Sequence, residues 1–261
     1  MKKIGLALGG GGAKGLCHIA FLKVLDEMGV RPAVISGTSI GAVIAGFYAA
    51  GVSGAQLEQV VKDMGFMDLY KMLLDFSILS NSAIYKGKGV EDFLARVIPA
   101  QTFAETKIPL KIVATDFWNR REVVLASGSL ITAIRASIAV PALFEPVQLD
   151  GKILIDGGAV NPLPYDLLRR ECDVTIAIDV SGEKTFAPED PVPNMVENIL
   201  STFQIMQASI VAAKKEVSPP DIYVKPALTN IRVLDFYRYK EILAGVKEEV
   251  AGFKETVENR L

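Results

Sequence analysis

A chain of 261 residues, half of them hydrophobic, can bury one sizeable core, and a single α/β domain over 1–261 fits better than two small ones. A formal net charge of −2 argues against a nucleic-acid partner, which a basic patch or stripe would serve. Two cysteines, Cys17 and Cys172, and one histidine, His18, cannot assemble a usual structural zinc site, so no metal is expected and a reducing compartment fits.

Met1-Lys2-Lys3 and the apolar run 4–8 mimic the opening of a signal peptide, but the run breaks at four glycines and Lys14, short of an h-region of roughly 7–15 residues. No stretch reaches the roughly 20 apolar residues of a membrane span, and the longest, 40–52, contains three glycines. The expectation is a cytoplasmic protein that touches a membrane surface only transiently.

Residues 4–8 predict a buried first strand. The glycine loop 9–15 leads into a helix with Leu16, Ile19, Phe21, Leu22, Val24 and Leu25 on its apolar face, ending near Gly29. Ala33-Val34-Ile35 reads as a second strand, and the uncharged stretch 40–52 as a helix buried on all sides. Residues 53–99 read as helical. Within them 66–79 crowd flexible and aromatic side chains, which suits helix packing or a lid over an acyl-chain pocket. Strands follow at 110–116 and 122–126, then a helix at 129–138 stopped by Val140-Pro141. Asp150-Gly151 predicts a hairpin between strands at 147–149 and 153–155. A short helix to Glu171, a buried strand at 174–180, a Pro-rich polar loop at 182–193, a helix at 194–215 and a last strand at 222–224 complete the body. From Phe236 to Val257 apolar residues fall three or four apart, predicting one amphipathic helix docked on that body. Strand–helix alternation of this kind builds a mainly parallel sheet.

Two stretches carry chemistry. Gly37-Thr38-Ser39-Ile40-Gly41 has the G-x-S-x-G pattern of a nucleophile elbow, between a strand and a helix. The alternative is a glycine-rich turn whose serine only caps the helix. Gly10-Gly11-Gly12-Ala13-Lys14-Gly15 fits G-x-G-x-x-G after a strand. A dinucleotide site also needs an acidic residue closing the second strand, and here that strand closes on Ser36-Gly37. The P-loop pattern fails as well, so nucleotide binding is the weakest reading and no cofactor is expected. What such a loop does supply is backbone N–H groups at a helix start, the makings of an oxyanion hole.

A serine nucleophile needs a proton acceptor. His18 precedes Ser39 by 21 residues, the wrong order for a hydrolase triad, and reads as a helix residue packed beneath the loop. Asp156 closes a predicted strand and is followed by Gly157 and Gly158. Strand ends in open α/β sheets are where sites form, so Asp156 is either the base or a turn-capping aspartate.

With the glycine loop, the elbow and Asp156-Gly157-Gly158 in this order, and with the segment Ala136-Ser137-Ile138-Ala139-Val140-Pro141 before Phe144, the sequence resembles the patatin-like phospholipases. The resemblance covers residues 4 to about 181, with helices over about 194–261 expected to pack on that core. It implies a three-layer α/β/α sandwich and a Ser-Asp dyad that hydrolyses lipid acyl esters without calcium. It makes Ser39 the nucleophile, Asp156 the base and Gly10, Gly11 and Gly12 the oxyanion hole, supported by Lys14, Gly15, Gly37, Gly41, Gly157 and Gly158. Lys14 matches the family's basic position, against a solvated loop lysine. Glu145 stands where relatives often have proline. A module that keeps this fold to bind lipid or a partner without turnover is the competing expectation.

Overall fold

The computed structural model of the chain describes residues 2–63, 88–183, 185 and 192–261. The segment 66–79, expected as packing or lid, and most of the predicted polar loop at 182–193 lie outside the described residues.

Eight strands form one sheet. They are β1 (Ile4–Leu8), β2 (Val34–Thr38), β3 (Leu110–Asp116), β4 (Arg121–Leu125), β5 (Val147–Leu149), β6 (Lys152–Asp156), β7 (Val174–Ile178) and β8 (Ile222–Val224). The order is β5-β6-β3-β2-β1-β7-β8, with β4 also on β3. From β3 to β8 every neighbour pair along this path is parallel, while β4, β5 and β6 join in antiparallel pairs. The β5–β6 turn puts Asp150 at φ 48° and Gly151 at φ 72°, the left-handed pair of a type I′ hairpin.

Side-chain alternation divides the core into layers. Ile4, Leu6 and Leu8 of β1 join the larger cluster with Phe21, Leu22 and Leu25 of α1 (His18–Glu27). Ala7 points the other way, into a cluster with Leu163, Tyr165, Leu168 and Val211 of α6 (Met195–Val217). The other helices among the described residues are α2 (Ile40–Ala49), α3 (Gly54–Asp63), α4 (Lys88–Val97), α5 (Leu130–Ser137), α7 (Tyr239–Ala244) and α8 (Lys247–Arg260). Sheet between helical layers is the α/β sandwich that the sequence predicts. Phe253 of α8 meets Phe21 of α1 edge to face, with centroids 5.3 Å apart.

Three local expectations are corrected. β2 runs through Ser36, Gly37 and Thr38, because backbone carbonyls far along the chain accept from its hydroxyls and hold it extended: Ser36 Oγ donates to the Pro164 carbonyl (2.9 Å) and Thr38 Oγ1 to that of Asn161 (2.7 Å). The helix foreseen before Glu171 is one 3-10 turn, Tyr165–Leu167. The tail is not one helix: α7 ends at Ala244, Gly245 follows as its cap, and α8 begins at Lys247.

Candidate active site

The sheet brings the two chemical stretches together through β3. In the ladders, Thr38 of β2 is the partner of Val113, and Asp156 of β6 is the partner of Ala114. Strand β4 pairs with both Val113 and Ala114, so it occupies the opposite edge. β2 and β6 therefore follow one another along a single edge of β3. Ser39 leaves the end of one and Asp156 closes the other, although 117 residues separate them in sequence.

Ser39 has φ 55° and ψ −127°, a backbone conformation that a non-glycine residue holds only when its surroundings enforce it. The enforcement is visible. The Ser39 N–H donates to Ser137 Oγ (2.8 Å), and Ser137 Oγ–H donates to the Val113 carbonyl (2.7 Å). Gly41 lies against the Leu8 carbonyl, where a Cβ would collide with it. Gly37 and Gly15 are pressed as closely against Ala42 and Ile40, which seats α2 and the glycine loop on the elbow.

Asp156 is fully buried. Its Oδ1 accepts from the Gly158 N–H (2.7 Å), its own N–H donates to Ala139, and its carbonyl accepts from Thr115 Oγ1 (2.8 Å). Oδ2 has no hydrogen-bond partner of good geometry. Burial pushes the carboxyl up to about 7, against the opposing pull of the Ser39 hydroxyl and the Gly158 N–H. Gly157 backs onto the Val113 carbonyl, and Gly158 onto the side-chain amide of Gln207, a buried residue of α6.

The glycine loop passes beside the serine: a Cβ on Gly10 would stand 3.2 Å from Ser39 Cβ. Its donors are not equivalent. Gly9 N–H goes to the Ile178 carbonyl (3.0 Å), Gly10 N–H to Pro162 (2.9 Å) and Ala13 N–H to Val233 (2.8 Å). Gly11 and Gly12 have no such acceptor among the described residues, and Gly12 takes φ 62° against Val233. His18 Nε2 lies 2.9 Å from the Gly9 carbonyl. A carbonyl only accepts, so Nε2 carries the proton. Burial lowers this imidazole to about 4, leaving a neutral strut under the loop, as the sequence suggests. Lys14 is not a solvated loop lysine: it is 3 % exposed.

Sequence reasoning missed two residues of this site. Ser137 lies inside a segment already singled out, yet nothing local shows that its hydroxyl reaches an elbow 98 residues away. Gln207 sits mid-helix with no signal at all.

A patatin-like phospholipase family model matches residues 6–169. The chain belongs to this family. Among curated proteins it is 34 % identical over 200 residues to an uncharacterized NTE family protein of Mycobacterium bovis, covering 76 % of this chain and 55 % of the relative. It is 28 % identical to lysophospholipase NTE1 of Saccharomyces cerevisiae, over 92 % of this chain and 16 % of that protein. It is also 29 % identical to patatin-like phospholipase domain-containing protein 7 of Rattus norvegicus, over 96 % and 20 %. The patatin-like chain thus spans about half the length of the mycobacterial relative and a fifth or less of the other two. Among solved structures, VipD from Legionella pneumophila superposes with a TM-score of 0.57 at 16 % identity, covering 98 % of this chain and 67 % of that one, a likeness of fold.

Proposed function

We propose that the protein is a serine acyl-ester hydrolase for lipid substrates, of phospholipase A or lysophospholipase type. The carrying observation is that β2, which leads directly into Ser39, and β6, which closes on Asp156, meet one edge of β3 at successive positions, Val113 and Ala114, with the carboxyl buried and raised to about 7. An ordinary aspartate near 3.9 is a poor base at neutral pH; one near 7 is well matched to it. The name of the yeast relative, a lysophospholipase, supports the substrate class.

Ser39 Oγ attacks the ester carbonyl while its proton passes to Asp156. The oxyanion of the tetrahedral intermediate is held by the N–H groups of Gly11 and Gly12, since that of Gly10 is already engaged. Collapse releases the alcohol, which takes the proton from Asp156, and leaves the acyl group on Ser39. Water then attacks the acyl-enzyme with Asp156 again as base. Every proton moves between side chain, substrate and water, and backbone donors hold the charge, so the scheme requires no calcium and chelator leaves the rate unchanged.

Among the described residues no helix is long and apolar enough to cross a membrane. We place the enzyme in the cytoplasm, meeting lipid at a membrane surface. The test is labelling with a fluorophosphonate together with turnover of a short acyl ester. Ser39→Ala loses both, by at least about a thousandfold, and Asp156→Asn loses turnover. Labelling of Ser39→Ala as strong as wild type sinks the assignment.

A further inference from the structure

Between α6 and residues 230–235 lies a cavity of about 590 Å³. Ser39 and Asp156 do not line it; Lys14, Ser181 and Gln204 do. The Lys14 ammonium has three donors to satisfy, and the hydrogen bond it makes is to the Ile231 carbonyl at 3.2 Å. Among the described residues no carboxylate lies within ion-pair distance of it. The acids of the cavity wall are each matched elsewhere: Glu183 by Lys225 (3.2 Å), Glu197 by Arg232 (3.6 Å) and Asp235 by Arg238 (3.2 Å). Lys14 is therefore a buried cation with no direct ion pair among the described residues, offset only at longer range by the charges of Asp235 and Asp179, a state that is expensive unless something anionic arrives. Two further polar atoms of the wall are buried without a partner among the described residues, Ser181 Oγ and Gln204 Nε2. Both can donate.

We propose that this cavity is a binding site for a phosphate-type oxyanion, held by Lys14 Nζ, Gln204 Nε2 and Ser181 Oγ. A tetrahedral anion can offer a separate oxygen to each of three donors that come from three different parts of the chain. Burial brings Lys14 down to about 8, with the Asp235 charge opposing, so it keeps its charge at neutral pH. The site also adjoins the proposed centre. Gly12 rests against Val233 of the cavity wall, and Gln204 is one turn of α6 before Gln207, which backs onto Gly158. If the hydrolase reading holds, the anion is the headgroup phosphate of the lipid substrate; otherwise it is a free phosphate ligand.

The site can be read without turnover. Calorimetry on Ser39→Ala protein compares glycerol 3-phosphate with glycerol, then repeats the titration with Lys14→Met, Gln204→Leu and Ser181→Ala added singly. The phosphate is expected to bind where glycerol does not, and each substitution to weaken it by about tenfold or more. Gln204→Leu and Ser181→Ala keep the test readable should Lys14→Met fail to fold. Glycerol 3-phosphate binding no tighter than glycerol, or binding indifferent to all three changes, overturns the site whatever the enzyme hydrolyses. A second arm compares kcat/KM on a lysophospholipid and a monoacylglycerol of equal chain length. A ratio that falls about tenfold in Gln204→Leu assigns the anion to the substrate headgroup. An unchanged ratio in Gln204→Leu, with its glycerol 3-phosphate binding weakened as expected, assigns it to a free phosphate.

Discussion

In the proposed mechanism Asp156 has to be charged to take the Ser39 proton, yet the fold buries it, and these two demands oppose each other. Burial raises its carboxyl to about 7, so the active base form is lost as pH falls through that value. The rate constant kcat/KM should drop about tenfold per pH unit below pH 7; a profile flat down to pH 5 contradicts the role of base. The same shift acts on stability. Between the unfolded value near 3.9 and the folded value near 7 the native state binds the extra proton, so stability declines as pH rises through that window. Asp156→Asn removes the ionisation. It should be more stable than wild type at pH 8 by up to about 4 kcal/mol, a gap that closes near pH 4. Thermal unfolding across pH checks the sign: equal midpoints at pH 8 refute it.

Elements meet at the elbow, and two contacts there decide whether the chemistry is aligned. Ser137, the last residue of α5, connects the Ser39 N–H to the Val113 carbonyl of β3. Ser137→Ala strands a buried donor and a buried acceptor, at about 1–3 kcal/mol. We expect a lower melting temperature and kcat reduced about tenfold with KM little changed, because Ser39, the proposed nucleophile, loses its alignment rather than the substrate its contacts; a change in KM alone rules this out. Gly41 opposes two effects. Alanine gains about 1 kcal/mol over glycine in a helix, but its Cβ would collide with the Leu8 carbonyl, a backbone atom that cannot swing away. Sterics should win, and Gly41→Ala should melt several degrees lower or fail to fold; a stabilised variant would show that α2 can shift.

These contacts also explain what could and could not be read from the chain. Ser39 and Asp156 are legible because each stands in a short glycine-flanked pattern whose meaning is local. Ser36 and Thr38 look like turn residues, and only acceptors near residues 161 and 164 reveal them as strand. Gly245 was invisible as a break because Leu243, Val246 and Val250 continue the apolar spacing across it. Lys14 could be matched to a family position, but its burial depends on residues 182 and 231, far along the chain.

Across the whole molecule, α8 shares the core of the sheet. Phe253 and Val257 are buried in the same cluster as Leu6, Leu8 and Phe21. We propose that the described parts unfold as one domain. Phe253→Ala should then cost about 3–5 kcal/mol and lower a single melting transition seen alike by near-UV and far-UV circular dichroism. Two separated transitions would instead mark the C-terminal helices as an independent unit.

The attachment of β2 and β6 to one edge of β3 also bears on how such a chain can diverge. Backbone advance along β3, about 3.3 Å per residue, sets the spacing of serine and aspartate, so the proposed reacting pair is gauged by main chain rather than by neighbouring side chains. Cavity walls and surface helices can be rewritten by substitution while that gauge stays true. A single inserted or deleted residue within 152–156 turns Asp156 to the opposite face of the sheet. Indels in this lineage should therefore collect in the connections and be absent from the three strands that measure out the site.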